Sequence, residues 1–237
     1  MAYGISLHVW GEYACFTRPE LKSERVSYEV MTPSAARGIL SAIYWKPQFE
    51  WVIDRIRVLA PIRFTQIRRN ELSNKVVVPS MDVMLGRKSA ALGCAIEENR
   101  QQRSASVLHR VSYVIEAHVK VLVEENGINA AAKHLEIFKR RAAAGQCFHQ
   151  PYFGTREFPA MFEPVSDIDA LQDALPPEQR NKVLGLMLHD FVYKPDPKNG
   201  KVICAHTGRK LTVTPHFFFA ELRHGVLNIP SITQSLS

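Results

Sequence analysis

The 237-residue sequence lacks the features that mark several large classes of protein. No apolar run approaches the roughly 20 residues that span a bilayer. The opening residues MAYGISLHVWGEY lack the basic segment and the small-residue cleavage site of a secretory signal. The four cysteines (Cys15, Cys94, Cys147 and Cys204) are scattered without a CxxC pair, which argues against a disulfide framework or a zinc site. We therefore expect a cytoplasmic protein with reduced thiols and no membrane partner.

Motifs for metal and nucleotide chemistry are missing as well. The sequence has no HExxH, no cluster of closely spaced aspartates, and neither GxGxxG nor GxxxxGK[ST]. His216 and His224 stand alone in an apolar and a turn context, where a structural or solvated histidine is the more common case. The sequence therefore predicts no metal site and no cofactor, and it argues against a nucleotide-dependent enzyme.

Positive charge is present and unevenly distributed. The formal net charge is +7. Residues 1–165 contribute 22 Lys+Arg against 16 Asp+Glu, and residues 166–237 contribute 8 against 7. The positive excess in residues 1–165 is typical of a surface that binds a polyanion such as RNA or DNA. An excess of this size is also common in proteins that bind no nucleic acid.

Hydrophobic patterning predicts an α+β protein with a ferredoxin-like core. In residues 32–47, Thr32 can cap a helix, Pro33 suits its first position and Pro47 ends it. The predicted elements are a strand at 4–10, this helix, a bent strand at 51–67, a strand at 108–124, an Ala-rich helix ending near Gly145, and a strand at 160–165. This is the β-α-β-β-α-β order, which leaves one face of the sheet free.

Two further segments lie outside that core pattern. Residues 70–106 lose periodicity and contain the polar run EENRQQRSAS, which predicts a long, partly mobile insertion. Residues 166–237 predict a small β-rich unit with strands at 185–193, 201–206 and 210–222, followed by a loose tail. We therefore divide the chain into a domain at 1–165 and a unit at 166–237.

One strand carries polar side chains at every second position. In YVIEAHVKVLVEE (113–125), Glu116, His118 and Lys120 project from one face, whereas the other face is apolar. An imidazole suits proton transfer, and an ammonium group can stabilise charge on a phosphate. Tyr44, at the end of the first helix, could reach that region if the helix packs beside the strand. The same alternation is found on any solvated face of a half-buried strand, and spacing alone favours that simpler interpretation.

These groups suffice for RNA cleavage without a metal. The ribose 2′-OH attacks the adjacent phosphate when a base removes its proton, a cation stabilises the phosphorane and an acid protonates the leaving oxygen. Basic side chains along the helices and the 51–69 segment are candidates for phosphate contacts, although they could be ordinary surface charges. They are Arg37, Arg55, Arg57, Arg63, Arg68, Arg69, Lys139, Arg140 and Arg141.

Long ordered strings of residues resemble a known family. MTPSAARGILSAIYWKP, then WVIDRIRVLAPIRFTQIRRNE, and later YVIEAH resemble the CRISPR-associated proteins of type I-C systems that process repeat RNA, subtype d of the fifth Cas family. The resemblance covers most of residues 1–165. It implies a ferredoxin-like domain and a metal-independent endoribonuclease that cuts precursor CRISPR RNA at the base of a repeat hairpin and keeps the 5′ handle. The implied partners are the backbone and large subunits of the interference complex.

The resemblance also implies site residues. The family uses a Tyr at the end of the first helix, which Tyr44 matches, and a Lys-His pair, of which His118 matches the histidine. Ala117 stands in the lysine position, so Lys120 or Lys46 would have to substitute.

Three other functions remain open from the sequence. The chain could bind the RNA handle without cutting it, with Ala117 marking a lost catalytic pair. It could be a metal-dependent, sequence-tolerant DNA nuclease, with Glu116 beside His118 as one ligand. It could also be a ferredoxin-like regulator that binds a small molecule, because one fold hosts many functions.

Overall fold

The computed structural model describes residues 4–21, 24–73, 78–89, 95–123, 129–203 and 208–234. The strands are β1 (Gly4–Ala14), β2 (Phe49–Val58), β3 (Phe64–Leu72), β4 (Arg100–Val121), β5 (Met161–Pro164), β6 (Lys182–Pro195), β7 (Val202–Ile203), β8 (Lys210–Arg223) and β9 (Val226–Asn228). The helices are α1 (Pro33–Ile43), α2 (Met81–Met84), α3 (Ile96–Asn99), α4 (Ala130–Ala143) and α5 (Pro177–Arg180), and Ile232–Gln234 forms a 3-10 turn.

The core of the fold is an antiparallel sheet backed by α1 and α4. Its strands lie in the order β5-β1-β4-β2, with β4 between β1 and β2. With α1 after β1 and α4 after β4, this is the β-α-β-β-α-β arrangement. The predicted α+β class is therefore confirmed.

Local sequence signals explain the ends of both long helices. The Thr32 hydroxyl accepts a hydrogen bond from the Ala35 amide, and Pro33 occupies the first helical position. α1 ends at Ile43, before the predicted limit at Pro47, because Tyr44 adopts an extended conformation. The Asn129 side chain caps α4 by accepting from the Ala132 amide, and Gly145 follows the helix with a φ of 64°.

The main core lies between the helices and one face of the sheet. Tyr113, Ile115, Ala117 and Val119 of β4 are all buried, as their alternation predicts. Phe138 of α4 packs against Trp51 of β2 at a ring-centroid distance of 4.8 Å. This packing fixes which face of the sheet is buried and leaves Glu116, His118 and Lys120 on the other face.

The predicted single bent strand at 51–67 is wrong, because residues 59–63, which include Pro61, separate β2 from β3. The ends of the predicted insertion are also regular. β3 pairs with the first half of β4 from Phe64 opposite Leu108 to Leu72 opposite Arg100, which makes a long hairpin arm. Within 70–106, residues 74–77 and 90–94, including Cys94, lie outside the described residues. The mobility of this segment stays a prediction.

The C-terminal strands extend the same sheet. β6 and β8 form a long hairpin, and β9, which the sequence did not predict, pairs with both β8 and β2. Of the predicted strand at 201–206, the structure describes β7 at Val202–Ile203. Residues 204–207, which include Cys204, lie outside the described residues. A boundary near residue 165 stays a prediction, as does a loose tail, whose residues 235–237 are likewise outside the described part.

Residues 165–174, which we call the crossing segment, connect the two ends of the core sheet. The Val165 amide donates to the Ser6 carbonyl at the β1 edge, and the Ala174 amide donates to the Leu59 carbonyl just after β2.

Cys15 and Cys147 are free thiols. Within the described residues no helix is long and apolar enough to cross a membrane.

Candidate active site

Polar side chains gather on the side of the sheet opposite α1 and α4, which we call the open face. Hydrogen bonds between neighbouring strands define it: Nε2 of His8 lies 2.9 Å from Oγ of Ser112, and Nζ of Lys120 lies 2.8 Å from Oε1 of Glu50. Together they place the polar side chains of β1, β4 and β2 on the same side of the sheet, where Val114, between Ser112 and Glu116, is buried. This surface contains His118 and Lys120, as the sequence predicts.

His118 is held by a carboxylate. Its Nδ1 lies 2.9 Å from each oxygen of Asp54, and the two side chains are 42% and 45% exposed. Asp54 reaches this position because the register of β2 against β4 shifts between Ile53 and Arg55. Since Asp54 occupies Nδ1, Nε2 is the imidazole nitrogen that can exchange a proton with a substrate.

Lys120 lies beside His118 on the open face. Two residues along a strand correspond to about 6.7 Å, and both side chains project from the same side. The side chains of Lys120 and Glu50 are 61% and 44% exposed, so water screens their charges and the ion pair is weak. The Lys120 ammonium can therefore leave Glu50 for a phosphate at little cost.

Glu116 is locked into an ion-pair cluster. Nη2 of Arg55 and Nε of Arg57 each lie 2.6 Å from one of its two oxygens, and its side chain is only 12% exposed. Both carboxylate oxygens therefore have a guanidinium partner. Within the described part of the chain, no group of three or more His, Cys, Asp or Glu side chains is arranged to hold a metal ion.

Tyr44 does not meet His118. Its hydroxyl lies 2.9 Å from Nδ1 of His134 on α4, its ring stacks on Phe49, and the side chain is buried. Phe49 alternates along β2 with Glu50, which is on the open face, so Tyr44 lies on the helix side of the sheet. The predicted convergence of the Tyr44 hydroxyl and the His118 imidazole is therefore wrong, because the end of α1 turns Tyr44 into the core.

This location gives a prediction for Tyr44→Phe. Because only the hydroxyl is lost, we expect the rate of the RNA cleavage that the resemblance implies to change by less than about threefold and the free energy of unfolding to fall by about 1–2 kcal/mol. Denaturant unfolding and single-turnover cleavage measure the two effects. Tyr193→Phe, at a 55% exposed position on β6, is the control and should change neither. A cleavage rate reduced 100-fold in Tyr44→Phe would contradict the placement of Tyr44 outside the reaction.

The predicted phosphate contacts separate into several groups. Arg55 and Arg57 lie on the open face with Glu116. Arg63, just before β3, and Arg68, in β3, are exposed on the hairpin arm of β3 and β4. Other members have partners on other surfaces of the molecule. These are Arg37 with Asp190 of β6, Arg69 with Glu157 and the Phe158 ring, Lys139 with Glu136, and Arg141 with the Ile43 carbonyl and the Tyr44 ring.

The helix-side members do not share a surface with His118. Arg140 and Lys139 are exposed on α4, and Lys46 is exposed between α1 and β2. Because α4 packs against the buried face, these basic side chains lie across the sheet from the open face. The nine predicted side chains therefore do not form one basic surface.

Sequence reasoning missed Asp54 and a second polar cluster on β1. His8 bonds Ser112 through Nε2 and Glu163 through Nδ1, each at 2.9 Å, and its ring stacks on Trp10. The signal was present in SLHVW, where Ser6, His8 and Trp10 alternate with Leu7 and Val9 as Glu116, His118 and Lys120 do in β4. For Asp54 no signal existed, since the register shift that exposes it depends on pairing with β4.

Comparisons with known proteins agree with this fold. The Cas5d family model, described as "CRISPR-associated protein (Cas_Cas5)", matches residues 4–230. The chain is 52% identical over 233 residues to "CRISPR pre-crRNA endoribonuclease Cas5d" of Mannheimia succiniciproducens, covering 97% of this chain and 96% of that protein. It is 40% identical over 230 residues to the protein of the same description from Thermus thermophilus, covering 96% and 91%. A crystal structure of a CRISPR-associated protein superimposes with a TM-score of 0.64 at 22% identity, covering 99% of this chain and 95% of that one, which shows a shared fold.

Proposed function

The chain belongs to the Cas5d family of CRISPR-associated proteins, and from that premise we propose that it is an endoribonuclease that cleaves precursor CRISPR RNA within its repeats. The observation that carries the proposal is the His118–Asp54 pair on an open sheet face, with Lys120 two residues along the same strand. The two relatives described as pre-crRNA endoribonucleases support the choice of RNA as substrate.

The chemistry follows from the position of each group. Asp54 holds Nδ1 of His118, so Nε2 accepts the proton of the ribose 2′-OH, whose oxygen then attacks the neighbouring phosphorus. The Lys120 ammonium neutralises the charge that develops on the phosphorane. The bond to the 5′-oxygen breaks, and that oxygen takes a proton from the imidazolium or from water. The products are a 2′,3′-cyclic phosphate and a 5′-OH, and no step uses a metal or another cofactor.

The product's fate is also part of the proposal. The 5′ handle stays bound after cleavage, and the protein with its RNA joins the backbone and large subunits of a type I-C interference complex. Arg55 and Arg57 border the site and supply positive charge beside the handle. Tyr44 supports the helix layer and takes no part in the proton transfers.

Mapping the RNA ends tests the proposed function. Labelled cognate repeat RNA is incubated with the protein in the presence and in the absence of EDTA. We expect one cut per repeat, equal rates in both conditions, and cyclic phosphate and 5′-OH ends. Steeply salt-dependent binding without product would support the handle-binding alternative. Cleavage that appears only with added Mg²⁺ or Mn²⁺, on DNA as well, would support the metal-dependent nuclease.

Asp54→Asn tests the positioning role of the carboxylate. Because the amide is neutral and can present its NH₂ group to Nδ1, which favours the wrong tautomer of His118, we expect kcat to fall by up to about 10⁴-fold with little change in RNA affinity. Asp54→Glu should recover part of that loss. Glu136→Gln, at an exposed position on α4, is the charge-matched control and should cut at the wild-type rate. Equal losses in RNA affinity and kcat would show instead that Asp54 acts on binding.

A further inference from the structure

A cleft lies on the open face at some distance from His118. It has a volume of about 670 Å³ and is bounded by the Trp10 end of β1, by Ser112 of β4 and by Leu171 and Gln172 of the crossing segment. The volume is within the range of about 300–1,000 Å³ that is typical of ligand sites. Ser112 and His118 are six positions apart on β4, about 20 Å along the strand. Val114, on the same side of β4 between them, is fully buried, and the crossing segment runs from Ser6, opposite Glu116, to Leu59, beside Ser112. A single strand of RNA that reaches from the cleft to His118 therefore passes over the crossing segment.

The cleft contains a fixed aromatic pair. The His8 and Trp10 rings stack with centroids 4.7 Å apart and an interplanar angle of 24°. Both nitrogens of His8 have partners, Ser112 and Glu163, so the imidazole cannot rotate without losing a hydrogen bond. The pair is therefore held in place before any ligand arrives. Unpaired RNA bases bind by stacking on aromatic surfaces of this kind.

Polar groups surround the aromatic pair. Arg110 lines the cleft from β4 with a φ of 53°, a left-handed conformation that is uncommon for residues other than glycine and that concentrates at functional sites. The residue is exposed, so its guanidinium is available to a phosphate. Glu12 and Gln172, also in the lining, offer an acceptor and an amide for the edge of a base.

We propose that this cleft binds one unpaired nucleotide of the RNA, with its base stacked on the His8–Trp10 pair and its phosphate on Arg110. The proposal rests on the proposed function, since it places a second contact of the same RNA on the face that carries His118. It gives the enzyme a sequence-reading position outside the cleavage site. Glu12 and Gln172 favour a base that carries an exocyclic amino group, because a carboxylate accepts from such a group.

A double-mutant cycle, with one change in the protein and one in the RNA, tests whether the cleft binds a nucleotide. Each nucleotide of the cognate repeat RNA is replaced in turn by an abasic ribose, and its affinity is measured for wild-type protein and Trp10→Leu. We expect Trp10→Leu to bind unmodified RNA about 5- to 150-fold more weakly. At one unpaired position, the abasic change should weaken binding to the wild type but not to Trp10→Leu. Trp10→Phe should retain most of the affinity, and Trp45→Leu, at a 50% exposed position outside the cleft, is the control.

Arg110→Gly provides a second variant that should fold well. Glycine adopts a φ of 53° without strain, so the guanidinium is lost while the backbone conformation is kept. We expect weaker RNA binding and a salt dependence of log K that is less steep by about 0.7, the contribution of one phosphate contact on a single strand.

The outcomes separate the two proposals. If wild-type protein cuts the repeat RNA but no abasic position couples to Trp10, and Arg110→Gly binds as the wild type does, the cleft proposal is wrong and the proposed function stands. If wild-type protein neither binds nor cuts the repeat RNA, the proposed function is wrong and the cleft proposal falls with it.

Discussion

His118→Ala is expected to lower the single-turnover rate of repeat RNA cleavage by about 10²–10⁴-fold. Alanine removes the only group at this position that can move a proton, whereas Lys120, Arg55 and Arg57 remain to hold the phosphates. The affinity for uncut RNA should therefore change by less than about threefold. Because His118 is half-exposed and its partner Asp54 is also exposed, the free energy of unfolding should change little.

A control histidine separates proton transfer from a general effect of the substitution. His149 is exposed in the loop after α4, where its ring contacts Phe148 and Tyr152. His149→Ala should cut at the wild-type rate. If His118→Ala also cuts at the wild-type rate, His118 is not part of the mechanism, and another group must move the proton.

Gly154→Ala is expected to prevent stable folding. Gly154 has a φ of 81°, and a Cβ at this residue would overlap the Cys15 carbonyl oxygen. The neighbouring Phe153 carbonyl accepts a hydrogen bond from the Cys15 amide, so the two backbones cannot separate without losing it. We expect the free energy of unfolding to fall by at least about 4 kcal/mol, measured by denaturant titration. Cleavage activity would be lost with the fold, because this loop leads into β5 and Glu163.

Gly145→Ala is the matched control for that experiment. Its φ of 64° is also left-handed, but a Cβ there would have no heavy atom within 4 Å. We expect it to cost only the conformational term, about 1–2 kcal/mol. Similar losses in the two variants would mean that crowding against Cys15 is unimportant and that the backbone conformation alone determines the cost.

Sequence patterns predicted the parts of this fold that local physics determines. The alternation in β4 predicted both its buried side and the exposure of His118 and Lys120, because strand side chains alternate regardless of the partner strand. The Thr32–Pro33 signal predicted the start of α1, because capping involves only nearby residues. The α+β class followed from the order of these elements.

What the sequence missed depends on contacts between distant segments. Asp54 reaches His118 only through the register shift of β2 against β4, and Tyr44 is turned into the core by packing against Phe49 and His134. Arg37 and Arg69 were predicted as phosphate contacts, but they pair with Asp190 and Glu157, which are far away in sequence. Composition shows that a basic side chain is present but does not show which carboxylate will meet it.

Chemical rescue of His118→Ala by imidazole tests the proton transfer at this site most directly. Free imidazole is added at increasing concentration to the variant with labelled repeat RNA in EDTA, and the rate and position of cleavage are measured. We predict that the rate rises with imidazole concentration at the native cut site only, and that wild-type protein and Lys120→Ala show no such rise. Failure of imidazole to restore any cleavage, in a variant that binds the RNA normally and has lost its activity, would contradict a proton-transfer role for the imidazole on the open face.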